Sequence, residues 1–102
     1  MSDKIVVVVD PDLADLIPGF LGNRGTDVNT IRAHIAAGNF AEIRVIGHSM
    51  KGAGGGYGFD LITDIGARIE TAAQAGNSDE ILAAATDLED YLSRVEVMPE
   101  AE

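Results

Sequence analysis

The chain is 102 residues long and sets 7 Lys plus Arg against 17 Asp plus Glu, a formal charge of −10 with the histidines neutral. That length supports one domain, and 46% apolar with 24% charged residues is ordinary globular usage, which excludes wholesale disorder. The acidic excess opposes the counterion release that drives nucleic-acid binding and repels anionic lipid surfaces, while the lack of cysteine excludes disulfides, thiolate metal sites and cysteine nucleophiles.

Lys4 to Val9 is rich in β-branched residues and reads as extended. With no second such run to pair with it, residues 1–9 are expected to lie as an arm along the body of a monomer, in preference to pairing with another copy. Ile5 to Val9 is too short for a signal-peptide core or a membrane span, so a cytoplasmic protein without membrane contact is expected. Asp10-Pro11 opens the first helix, with Asp10 capping exposed amides and Pro11 in the first turn. Leu13, Leu16, Ile17, Phe20 and Leu21 follow at helical spacing, then Val28, Ile31 and Ile35, and Pro18 with Gly22 and Gly25 predicts a kink or two pieces. Gly38-Asn39 is a helix stop.

The second helix is predicted from about Phe40 to Ala53, with Phe40, Ile43, Ile46 and Met50 on one stripe and Gly54-Gly55-Gly56 as its breaker and turn. The third runs from about Phe59 to Ala75, ending at Gly76-Asn77, and the fourth starts with Ser78 as cap and an acidic first turn. Its stripe is Ile81, Leu82, Ala85, Leu88, Leu92 and Val95, and residues 98–102 read as a loose acidic tail. These segments predict an all-α fold: an antiparallel up-and-down four-helix bundle over residues 10–97, with an N-terminal extended arm and short helix.

The two histidines differ in helical phase. At about 100° per residue, His48 falls nearly opposite the stripe of Ile43, Ile46 and Met50, so it should project into solvent from the middle of the second helix. Its neighbours one turn away are Arg44, Lys51 and Gly52: two cations and a missing side chain, which leaves one flank of the ring open. The stretch from Ile43 through Phe59 holds no Asp or Glu, an anion-tolerant window in an acidic chain. His34 has neither lysine nor glycine beside it and reads as a flank residue.

The string from His48 to Phe59, HSMKGAGGGYGF, resembles the signature of the histidine-containing phosphotransfer (HPt) domains of multistep phosphorelays. The family pattern is His, two residues, Lys-Gly, a small-residue stretch and a further Gly, matched here by His48, Lys51, Gly52 and Gly58. The order of helices from about Asp12 to Val95 is similar as well. Where many members carry serine after Lys-Gly, this chain has Ala53 and Gly54. The resemblance implies His48 as phosphoacceptor, Lys51 as the cation that steadies the phosphoryl oxygens and Gly52 as the opening that admits a partner. It implies response-regulator receiver domains as partners, those of hybrid histidine kinases among them, docking over Ala41, Arg44, Val45 and Gly55. The chain would be a stoichiometric carrier without kinase activity, binding no cofactor or metal itself, with Mg²⁺ on the receiver. The alternative is a noncatalytic helical module that binds a receiver or kinase without being phosphorylated.

Other patterns are weaker. The glycine cluster lacks Gly-Lys-Ser/Thr and follows a helix, so it is no nucleotide loop. Neither histidine has a carboxylate or second histidine at i+3 or i+4, so no metal site is expected. Phe40, Tyr57 and Phe59 are expected to plug the bundle near the turn. Asp64, Glu70, Asp87 and Glu89 are expected to form a solvated face.

Overall fold

The computed structural model describes residues 3–100. Strand β1 (Ile5–Val9) leads into a 3₁₀ segment (Pro11–Leu16), followed by helices α1 (Ile17–Ala37), α2 (Phe40–Gly56), α3 (Asp60–Gln74) and α4 (Ser78–Arg94), and strand β2 (Val95–Pro99). Helix α2 packs on α3, α3 on α4, and α1 closes the bundle against α4 and α2. The core is aliphatic, with Ile31, Ile43, Met50, Ile62, Ile69, Ile81 and Leu88 fully enclosed. Each such side chain contributes about 1.5–3 kcal/mol by leaving water. Phe59 is fully buried and Phe20 stacks on both Tyr57 (centroids 4.6 Å apart) and Phe59 (5.6 Å), so an aromatic plug forms beside the α2–α3 turn, but Phe40, expected in it, lies at the opposite end of α2.

Asp10 caps the first turn by accepting from the Asp12 amide at 2.9 Å, and the first helix divides at Leu16–Ile17, where a 3₁₀ turn gives way to α1 with Pro18 in its first turn; Gly22 and Gly25, expected to help kink it, lie inside an unbroken α1. Three helices end in the same way. Gly38, Gly58 and Gly76 take φ of 74°, 90° and 65°, and the following amide bonds back to the carbonyl five residues earlier: Asn39 to His34, Phe59 to Gly54, Asn77 to Ala72. This left-handed turn is what glycine permits without steric cost.

Four expectations are corrected. The triplet Gly54–Gly56 does not break α2, which continues through it to the stop at Gly58. Gly54 is buried against α3, where a Cβ would lie 2.6 Å from the amide and hydroxyl of Thr63, so its bareness serves close helix packing. Asn77, and not Ser78, caps α4, accepting from the Glu80 amide at 3.1 Å. The arm has a partner within the chain: β1 pairs with β2 in parallel, Ile5 opposite Val95 and Val9 opposite Pro99. Consequently the stretch expected to be a loose tail is ordered as far as Glu100, whose amide donates to the Val9 carbonyl at 2.8 Å. The alternation of Val95, Glu96 and Val97 supplies the inward apolar groups that a half-buried strand needs. Residues 1–2 of the expected arm and 101–102 of the expected tail lie outside the described residues.

No helix among the described residues is long and apolar enough to cross a membrane.

Candidate functional site

The site begins with three glycines at the α2–α3 contact. A Cβ on Gly47 would stand 2.7 Å from the Glu70 amide and 2.9 Å from the Gly66 carbonyl, and one on Gly66 would stand 2.5 Å from the Lys51 amide. With Gly54 against Thr63 they let the two backbones touch. The Thr63 hydroxyl then donates to the Lys51 carbonyl at 2.9 Å, tying α3 to the turn of α2 that follows His48.

This close approach brings Glu70 of α3 between two α2 side chains. Glu70 Oε2 is 2.7 Å from His48 Nδ1, and Glu70 Oε1 accepts from Lys51 Nζ at 2.7 Å. The His48 side chain is 70% exposed while that of Glu70 is 15% exposed, so the ring stands in solvent on a largely enclosed carboxylate. Hydrogen bonds from Lys51 and then His48 hold the Glu70 carboxyl below its usual 4.5, against an opposing push from desolvation. An ionised carboxylate can only accept, so Nδ1 carries the proton and a neutral His48 ring keeps its lone pair on Nε2.

Glu70 is therefore no part of a solvated acidic face, as its charge on α3 suggests. Its inward position next to Ile69 follows from Gly66 one turn before it. Asp87 and Glu89 are exposed but paired, with Arg68 and Arg32 respectively; such surface pairs contribute little, about 0–1 kcal/mol. Asp64 is exposed.

Of the other residues singled out, Ala41, Arg44 and Val45 join His48 and Glu70 around an open depression of about 420 Å³. Val45 is 60% exposed. Gly52 has open space where a Cβ would be, so the flank of the ring on that side is bare. Gly55 lies outside the depression, exposed on the same helix and beside the Thr63 hydroxyl. His34 is at the end of α1, with Nδ1 3.4 Å from the side-chain Nδ2 of Asn39. Among the described residues no three His, Cys, Asp or Glu side chains gather as a metal site would require.

The depressed carboxyl of Glu70 sets a pH dependence. A group whose folded value is lowered stabilises fully above its unfolded value and loses that contribution as pH falls through the folded one. Glu70→Gln is accordingly expected to melt below the parent at neutral pH, with the gap closing as the buffer is taken below pH 4.5. Thermal melts across that range check it; a gap independent of pH would assign the loss to packing.

Searches among curated proteins and among solved structures find no match. The family model described as Hpt domain matches residues 15–97, which spans all four helices and the exposed histidine with its lysine and glycine. Covering most of the chain, that match places the protein in the Hpt domain family, the helical phosphotransfer modules that work with response-regulator receiver domains in phosphorelays.

Proposed function

We propose that His48 accepts a phosphoryl group from the aspartyl phosphate of a receiver domain and passes it to the aspartate of another. The observation that carries this reading is the contact of His48 Nδ1 with the ionised Glu70 at 2.7 Å, on a ring that otherwise faces solvent. It leaves Nε2 as the outward nucleophile. In the forward step the Nε2 lone pair attacks phosphorus, the P–N bond forms, and the bond to the aspartyl oxygen breaks with its electron pair returning to the carboxylate. The ring keeps its Nδ1 proton and becomes cationic, and Glu70 lies against that developing charge. Transfer to the second receiver is the same step reversed. The chain acts as a stoichiometric carrier, and any Mg²⁺ belongs to the receiver.

Lys51 supplies charge neutralisation. Its ammonium has three donors, one engaged by Glu70, and is part exposed, so the remaining donors can reach phosphoryl oxygens. Docking would use Ala41, Arg44, Val45 and Gly55, with Gly52 admitting the partner's loops. Lys51→Ala is expected to slow transfer by about a hundredfold to a thousandfold, the scale of losing one stabilising donor, with little change in melting temperature. An unchanged rate in a quenched time course would leave Lys51 a solubilising charge.

The test of the proposal is incubation with a phosphorylated receiver. The expected result is an acid-labile, alkali-stable label on the chain that peptide mapping places on His48. Stable binding with no label would favour the noncatalytic interaction module instead.

A further inference from the structure

Four of the five arginines hold a carboxylate of the chain itself: Arg24, Arg32, Arg68 and Arg94 each have one within 3.1 Å. Arg44, the fifth, makes no ion pair or side-chain hydrogen bond among the described residues, and of the two lysines only Lys4 shares that state. In a chain with 17 acidic residues, a cation left single owes this to where it stands. The neighbours of Arg44 one turn away on α2 are Phe40, Ala41, Gly47 and His48, none of them acidic. The carboxylate across the helix contact, Glu70, has one oxygen on His48 and the other on Lys51. Lys51 and Glu70 cancel, so with the ring in its neutral, nucleophilic form Arg44 supplies the net positive charge of this face. The same arginine borders the open depression of about 420 Å³ beside His48, where Ala41 and Val45 present exposed apolar surface.

We infer that Arg44 selects among receivers by binding an acidic side chain that the partner carries beside its phosphoryl-aspartate pocket, the receiver itself being taken from the phosphorelay role proposed for His48. The depression matches a glutamate part by part. Its methylenes lie on Ala41 and Val45, and its carboxylate meets the guanidinium, whose fork of donors suits two oxygens at once. The phosphoryl group is left to His48 and Lys51, because the depression runs from His48 back toward the start of α2 while Lys51 stands one turn the other way. A body of formal charge −10 otherwise repels an acidic partner, so one unmatched cation beside the nucleophile also fixes where such a partner approaches. A receiver with lysine or arginine at that point meets Arg44 as a like charge and is rejected.

Titration of unphosphorylated receiver domains from the same genome against the full chain tests this without phosphoryl chemistry. For the tightest-binding receiver, Arg44→Glu is expected to raise Kd by at least about tenfold, and Arg44→Lys by less, since the ammonium keeps the charge but not the fork. Reversing one carboxylate beside the receiver's phosphorylation pocket to lysine should weaken the parent and restore binding to Arg44→Glu. Added salt should weaken the parent more than Arg44→Ala. Arg44 is exposed, so the melting temperature of each variant should hold and serves as the fold control. An Arg44→Glu chain that binds as tightly as the parent overturns the inference, as does a loss that no charge reversal on the receiver restores. A defect of Arg44→Ala confined to the transfer rate at saturating receiver also overturns it, by moving the guanidinium onto the phosphoryl oxygens. These affinity changes without any label on His48 would sink the carrier reading and leave the selector role standing, whereas no binding to any receiver would sink both.

Discussion

His48→Gln is expected to abolish the phosphoryl label while leaving the fold as it is. The side chain is 70% exposed, so its replacement carries the small stability effect of a surface change, within about 0.5 kcal/mol. The glutamine amide can still donate to Glu70, which preserves the clasp between α2 and α3. What disappears is the nitrogen lone pair at Nε2, and no other group on that face can take its place. Loss of a nucleophile costs at least about three orders of magnitude in rate. Retained receiver binding, measured alongside the label, separates a chemical defect from a docking defect. Label retained in the variant would move the acceptor elsewhere and remove the basis of the carrier reading.

Gly66→Ala is expected to be the most damaging small change in the bundle. Its methyl would meet the Lys51 amide at 2.5 Å, the Gly47 carbonyl at 2.8 Å and the Lys51 Cα at 3.0 Å. All three are backbone atoms of α2 and cannot swing aside, so the helices must separate. Alanine gains about 1 kcal/mol in helix propensity, but overpacking costs about 1–3 kcal/mol or somewhat more. The cost grows as Glu70 is carried away from His48 and Lys51. A net loss of about 2 kcal/mol in urea denaturation is expected, together with slower phosphoryl transfer. Gly52→Ala is the contrasting case. Nothing lies within 4 Å of its added methyl, so propensity acts alone and stability should hold or rise by up to about 1 kcal/mol. If both variants behaved alike, the glycines of the α2–α3 contact would not be acting through packing.

The parts of the molecule legible in the sequence are those carried by local pattern. Helix count, the stops at Gly38 and Gly76, and the outward phase of His48 depend on residues within a turn or two of one another. Glu70 and β2 depend on contacts that no local period reveals. Glu70 reads as one acidic residue among many until Gly66 and Gly47 are matched across two helices. A costly glycine inside each helix is the one available signal that they touch, and once paired it puts Glu70 beside His48. The β2 segment begins where the stripe of α4 ends, so Val95 fits either element, and the choice rests on a partner strand 90 positions away in register. Gly54 was open to misreading for a related reason: a glycine that ends a helix and one that lets another helix approach look the same along the chain.

The shared glycine turn that closes α1, α2 and α3 has a consequence for how the molecule meets a visitor. Among the described residues every helix-to-helix connection is short and internally hydrogen-bonded, and the imidazole itself stands in the middle of α2. A partner meets a surface already in its final shape and forfeits little conformational entropy on contact. For the proposed carrier, which would collect from one protein and deliver to another, such stiffness favours brief encounters over long embraces.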